Sequence, residues 1–310
     1  MITSILDRVA LGLVRLVPSK VAHHLMFLVQ SEPAIPDSWG YHIRPIHYYE
    51  PLPDFGALKA EQIKRRRDPA AIDFHWEQQL SLLRQLSATY SGELRDLSRA
   101  EANAADFDND YFSGFDAAVY YSLIRHLAPR RVIEIGSGYS TRIAHRALSR
   151  NREQGQQGVL TCIEPNPERL AGQQFEMELL EQRVEEIPTS FFSCLEANDI
   201  LFIDSTHTVK FGGDVCYEFL EILPTLKPGV WVHVHDIFFP HDYPADWILK
   251  RRLALNEQYL LEAFLAFSGA FSVKLANHWI SLDYQNVASE LWAEGSAKTR
   301  LSSSFWMSRI

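Results

Sequence analysis

Two short stretches end in residues able to move protons. "ILFIDSTH" closes an apolar run with Asp204 and sets His207 three residues on, and "VWVHVHDIFFPHDYP" closes another with His235 and Asp236. If the two runs are strands of one sheet, two carboxylates and two imidazoles reach the same rim. An imidazole with an ordinary pKa near ~6.5 can take the proton of a hydroxyl as that oxygen forms a new bond. A divalent cation held by carboxylates can do the same work by lowering the hydroxyl's pKa and orienting it.

A second pair of stretches offers a place to hold a ligand. "RRVIEIGSGYS" sets Glu134, then Gly136, Ser137 and Gly138, after another apolar run. Glycines permit a tight turn and let a ligand reach the backbone with no Cβ in the way, and amides opening the next helix can donate hydrogen bonds. A dinucleotide fingerprint would carry a further glycine where this chain has Thr141. Glu134 adds negative charge where a dinucleotide's phosphates would come, which disfavours a phosphate-bearing ligand and favours a cationic one. "CIEPNP" puts Glu164 at another strand tip, where a carboxylate can accept both ribose hydroxyls; an exposed turn acid before Pro165 is the alternative. Together they describe a pocket for a nucleoside with a positive centre. S-adenosylmethionine, with its ribose, ammonium and sulfonium, fits that description.

These residues meet only if the runs are parallel neighbours. Strands are expected over 131–135, 159–163, 199–203 and 230–234, alternating with helices over 116–127, 141–150 and 217–226. Short apolar strands between helices suit a parallel sheet buried on both faces, which binds ligands beyond the carboxyl ends of its strands. The expected fold class is therefore α/β, a Rossmann-like doubly wound, mostly parallel sheet with an N-terminal helical cap. The cap covers 1–100, with an irregular stretch holding Pro33, Pro36, Pro45, Pro51 and Pro53, then a helical face of Trp76, Leu80, Leu83 and Leu86. The cofactor-binding domain covers 101–285, and 286–310 forms a C-terminal tail.

Composition narrows the class of partner. The chain has 310 residues, 46% hydrophobic and 22% charged, within the range of an ordinary globular protein. A net charge of -9 argues against nucleic acid, which needs a basic face; the run Lys64 to Arg67 is short and reads as a solvated helix face. Cys162, Cys194 and Cys216 are odd in number and far apart, which supports neither a disulfide framework nor a zinc knuckle and suits a cytoplasmic location. In residues 1–30, Ile2, Ile5, Leu6, Val9, Leu13, Leu16 and Val17 recur at helical spacing, while Asp7, Arg8, Arg15 and Lys20 break any spanning segment. Such a helix docks on its own domain or on a homodimer partner, or makes peripheral membrane contact.

In their order and spacing, "VIEIGSGYST", "IEPNP", "DILFIDSTH" and "GVWVHVHDIFFPHDYP" resemble a class I S-adenosylmethionine-dependent methyltransferase. The closest likeness is to a bacterial group related to the macrolide-sugar O-methyltransferases and associated with polysaccharide biosynthesis. It runs from Asn109 to Ile280 and includes "NEQYLLEAFL". The resemblance implies that Gly136, Ser137, Gly138 and Glu164 hold S-adenosylmethionine; Glu134 and Asp204 complete the expected cofactor-binding set. It further implies an Asp-x-x-His element, here Asp204 and His207, with the aspartate on magnesium and the histidine as general base. Where that family has a second, acidic pair of metal ligands, this chain has His235 and Asp236, so the implied metal set is Asp204, His235 and Asp236. Magnesium prefers oxygen donors, so the change points to a softer metal such as manganese or zinc, or to no metal, with His235 bonded to a neighbouring loop. The catalytic set is His207, Asp204 and Asp236, and the implied acceptor is a hydroxyl of a small or polymer-linked sugar or glycan.

Three other readings compete. An NAD-linked oxidoreductase on the same fold is opposed by Thr141 and by a loop-to-Glu164 distance longer than the usual ~20 residues. A non-haem iron site at His233, His235 and Asp236 would need near-consecutive strand residues to face one ion. A non-catalytic cofactor-binding homologue is the third. Among lesser candidates, His233 reads as a core histidine and Lys210 as an exposed loop residue. Tyr111, Phe112 and Phe115 cover the cofactor or belong to the core, and His241, Asp242 and Tyr243 lie in a loop that would gate or touch the acceptor.

Overall fold

The computed structural model describes residues 16–31, 44–99, 104–170, 175–292 and 301–310. The chain divides into two compact units, Met1–Leu58 and Lys59–Ile310. In the first, Ser19–Ser31 is helical, with Leu25, Met26, Phe27 and Leu28 each about half exposed; the earlier part of the expected N-terminal helix lies outside the described residues. No helix among the described residues is long and apolar enough to cross a membrane. The unit boundary falls earlier than the expected end of the cap. The helix Trp76–Arg99 buries Leu83, Leu86, Tyr90 and Leu94 in the same core as the sheet, so it belongs to the second unit.

The second unit is built on seven strands: β1 (Arg131–Ile135), β2 (Val159–Ile163), β3 (Glu178–Leu180), β4 (Ile200–Ile203), β5 (Trp231–Val234), β6 (Phe271–Ala276) and β7 (Phe305–Arg309). Their order is β3-β2-β1-β4-β5-β7-β6. The first five run parallel, and β7 lies antiparallel between β5 and β6. This meets the expectation of a mostly parallel α/β sheet and corrects one detail of it. The expected C-terminal tail supplies the helix Gln285–Leu291 and an interior strand, because Phe305, Trp306 and Met307 are apolar on both faces and can be buried only between two layers. A dinucleotide-binding sheet of order 3-2-1-4-5-6 has no such antiparallel insertion.

Alternation along each strand divides the core. Val132, Leu160, Ile200 and Phe202 point to one face, under the helices Trp76–Arg99, Gly114–Leu127 and Tyr139–Glu153. Ile133, Ile135, Leu201, Ile203, Val232 and Val234 point to the other. Asp199, expected at the head of β4, stands just before it. Its buried carboxylate accepts the amides of Arg130, Arg131 and Glu196, each at 2.9 Å, and so ties the entries of β1 and β4 together. The helix expected over 217–226 begins at Asp214 and opens into a π-turn over Glu218–Ile222 before Pro224, which lacks an amide to continue it.

Candidate active site

The glycine turn after β1 is shaped from two sides. Gly136 has φ +84°, and a Cβ there would lie 2.1 Å from the Asp204 carbonyl oxygen, so only glycine lets β1 and β4 end side by side. The close approach that requires glycine at 136 is thus made by the protein's own backbone. Beneath the turn, the Gly138 amide donates to Thr141 Oγ1 (3.0 Å), which donates to Glu134 Oε2 (2.6 Å); Tyr120 Oη donates to the other oxygen (2.9 Å). Thr141, where a dinucleotide fingerprint would have glycine, is therefore a brace of the loop.

The role expected of Glu134 changes accordingly. It is fully buried. Burial pushes its pKa up to about 7 against the bonds from Thr141, Tyr120 and Cys162, so at neutral pH it is not the fixed negative charge that was to select a cationic ligand. It holds the loop from inside.

The loop's outer side remains available to a ligand. Glu164, just past β2, accepts the Asn166 amide at 2.8 Å and the Ser137 amide at 3.3 Å, one on each oxygen, leaving lone pairs free on both. Ser137 Oγ is buried without a hydrogen-bond partner among the described residues. An orphaned hydroxyl beside a strand-tip carboxylate, at the start of a fifteen-residue helix, is what a polar ligand would complete. The adenine side was expected near 184–186; Val184–Glu186 forms a 3-10 turn following β3.

At the tips of β4 and β5 the expected acids and imidazoles do meet. His207 Nε2 lies 3.2 Å from Asp204 Oδ1 and 3.5 Å from Asp236 Oδ2. His235 Nδ1 lies 3.4 Å from Asp204 Oδ1 and 3.5 Å from Asp236 Oδ1. His207 (φ 57°) and Asp236 (φ 54°) both sit in the left-handed region, a strain that their surroundings must hold. Burial opposes charge on His207, but bonds to Asp204 and Glu257 and the Asp236 charge outweigh it and hold its pKa well above the ordinary value. For Asp204, burial would raise the pKa, yet the charge of His235 and the bonds from both imidazoles hold it well below the carboxylate range. His235 is raised too, burial being overcome by Asp204 and Asp236.

Three supports of this cluster were not legible as motifs. Glu257 opens the helix Glu257–Leu265 and places Oε2 2.8 Å from His207 Nδ1, while the amides of Asn256 and Glu257 bond the His207 carbonyl at 3.0 and 3.2 Å. Behind it, Glu218 is buried on the π-turn and accepts Ser205 Oγ at 3.0 Å; burial and the nearby Glu257 push its pKa well up. Ser303, just before β7, donates Oγ to Asp236 (3.0 Å), lies 3.3 Å from His235 Nε2, and donates its amide to the buried Asp116 (2.7 Å). His235 thus has the neighbouring-loop partner that was the alternative to metal ligation.

Other candidates separate cleanly. His233 is a core residue, stacked on Phe202 with centroids 3.8 Å apart and bonded to Ser304 Oγ at 2.9 Å; burial holds its pKa well down. Phe112 and Phe115 are buried, and Phe112 packs 5.3 Å from the His235 ring. Tyr111 is half exposed and stacks on Tyr139 at the head of the helix after the glycine turn. Tyr243 is buried, its hydroxyl accepting the Gln258 amide, and Asp242 lies 3.6 Å from Arg67, so both brace the 237–258 segment. Lys210 is exposed, as expected.

Residues 133–237, from β1 to just past Asp236, match a family model described as a methyltransferase domain. An uncharacterised protein of Archaeoglobus fulgidus is 28% identical over 169 residues, covering 50% of this chain and 75% of that protein. Among solved structures, the O-methyltransferase TomG from Streptomyces achromogenes, in complex with SAM, is 18% identical over 63% of this chain and 78% of its own, with a TM-score of 0.40. An O-methyltransferase from Bacillus cereus in complex with SAH is 15% identical over 75% and 90%, with a TM-score of 0.38. The segment that matches the methyltransferase-domain model carries the glycine turn, Glu164, Asp204, His207, His235 and Asp236.

Proposed function

We propose that the protein is an S-adenosylmethionine-dependent methyltransferase that transfers the cofactor's methyl group to a hydroxyl of a sugar or glycan acceptor, with His207 as general base. The observation that carries this reading is the placement of one imidazole among three carboxylates, Asp204, Asp236 and Glu257, at the carboxyl ends of β4 and β5. S-adenosylmethionine supplies the electrophile, a methyl group on a sulfonium. The loop amides and the Glu164 carboxylate would hold its ribose side, and the orphaned Ser137 hydroxyl fits a polar ligand there.

His207 would take the acceptor's proton on Nε2 as the oxygen bonds to the methyl carbon, the carbon–sulfur bond breaking and the sulfonium leaving as a neutral thioether. Glu257 keeps Nδ1 protonated and the ring oriented, and Asp204 and Asp236 stabilise the imidazolium that results. The same cage sets a cost. With the pKa of His207 held well above its ordinary value, most of the resting enzyme carries the proton, so turnover rises with pH until the imidazole is neutral.

A divalent ion does not fit this arrangement as it stands. Among the described residues no three His, Cys, Asp or Glu side chains are grouped to hold one, and the His207 Nε2 already sits between the Asp204 and Asp236 carboxylates. Free Cys162, Cys194 and Cys216 are in keeping with a cytoplasmic location.

The test is transfer of labelled methyl from S-adenosylmethionine to a panel of sugars, at several pH values and with chelator. Transfer to oxygen that climbs toward alkaline pH and survives chelation is expected. A rate independent of pH between 6 and 9 would remove His207 as base, and loss of turnover in chelator restored by manganese would put a metal in its place.

A further inference from the structure

A cavity of about 630 Å³ opens beside the catalytic cluster, with Asp236 and Ser303 in its wall together with Phe238, Trp247, Lys64 and Arg251. Its size suits a sugar with a substituent. Two basic runs reach it from distant parts of the chain. Lys64 begins "KRRR" after the helical turn Ala60–Ile63, and Arg251 lies in "KRR" after the helix Ala245–Leu249; these two short helices pack against each other.

Within the two runs, several cations are already engaged. Arg66 pairs with Asp283, Arg67 with Glu262, and Lys250 with Asp246 at 2.7 Å. Lys64 and Arg251 are the two that line the cavity, and among the described residues neither has an acidic partner within ion-pair distance. The Arg251 guanidinium lies instead 5.4 Å from the centre of the Trp247 ring, which fixes it by cation–π attraction. Of the two other carboxylates on the wall, Asp246 is neutralised by Lys250, which leaves Asp110 to accept hydroxyls. Lys64 and Arg251 therefore balance Asp110 and Asp236 in charge, yet neither is held in an ion pair among the described residues, so both are available to an anionic group entering the cavity.

Resting on the methyltransferase reading above, we propose that this cavity takes the acceptor and that the acceptor is an anionic sugar. Lys64 and Arg251 bind its phosphate or carboxylate, Trp247 offers a flat apolar surface to the ring, and the hydroxyl to be methylated lies toward Asp236 and His207.

The probes are glucose 6-phosphate, glucuronate and methyl glucoside, titrated calorimetrically into the full chain with S-adenosylhomocysteine present, and cofactor binding is measured alongside. At least one anion is expected to bind tenfold or more tightly than methyl glucoside, with the preference shrinking as salt is raised. Which anion wins distinguishes phosphate from carboxylate. The double variant K64Q/R251Q should erase the preference while cofactor affinity, the check on folding, stays within twofold. Equal binding of the neutral sugar, an anion preference that survives in the double variant, or no sugar binding in a chain that binds cofactor would each overturn the proposal. A chain that binds no cofactor brings down the methyltransferase reading itself, a different result from sugar failure alone.

Discussion

Around the tips of β1 and β2, what a ligand meets is backbone amides and one carboxylate, all set by residues 134–166. Around the tips of β4 and β5 it meets side chains, and these are held by Asp116, Glu257 and Ser303 from far along the chain. The first region depends on shape, because a turn passes where only glycine fits. The second depends on charge, because two carboxylates and two imidazoles share a few ångströms, the carboxylates raising the pKa of His207 and His235 and the imidazoles lowering that of Asp204. A change in the first region should therefore register as stability or cofactor affinity, and a change in the second as rate and pH dependence.

The sharpest way to break that division is His207→Ala. Turnover should fall about 10³-fold with cofactor affinity nearly unchanged, measured by initial rates and calorimetry. A matching loss of cofactor binding would mean that the two regions are one. Gly136→Ala should act in the opposite sense, costing about 3 kcal/mol or more in denaturant unfolding, since the new Cβ meets the Asp204 carbonyl oxygen and φ is positive. A fully stable, cofactor-binding variant would show that the turn can relax.

Glu134→Gln tests whether charge matters under the turn. A carboxyl raised from 4.5 to about 7 carries no penalty below pH 4.5; the native state loses stability as pH rises from there through 7, and the loss is complete above it. The variant should therefore gain on the parent between pH 5 and 8, by up to about 3 kcal/mol at the upper end. A gap between variant and parent that is the same at both pH values would refute the buried, half-protonated carboxyl. Ser303→Ala should have the smallest effect, about a tenfold loss of rate through Asp236 and His235, with cofactor affinity and unfolding midpoint close to the parent's. An unchanged rate would leave Ser303 a packing residue.

The sequence showed the first region better than the second for a physical reason. An apolar run ending in "EIGSG" or "IEP" carries its strand, turn and ligand groups in one local stretch. Asp204, His207, His235 and Asp236 were equally readable because each follows its own strand. Glu257 was not, since an acid opening a helix is also an ordinary helix-dipole residue, and nothing nearby in sequence says that it faces His207. Nor was Ser303, whose role depends on β7 standing next to β5. A signal for that strand was present in "SSSFWMSR", a bulky run too apolar for a surface tail. The surroundings of Glu134 are not legible either, since sequence gives an acid's position along a strand but not the hydroxyls of Tyr120 and Thr141 that enclose it.

The insertion of β7 also bears on how the chain assembles. Trp231 in β5 pairs with Ser308 in β7, so the two strands join only after a loop of about seventy residues has closed, a slower event than the β4–β5 pairing, in which Ile200 meets Trp231 across about thirty residues. Until then β5 is a bare edge, able to recruit the β5 of another molecule. Ser303 arrives with β7. A refolding chain should therefore regain its β4–β5 pairing before its activity, and the interval between the two is when it is most exposed to aggregation.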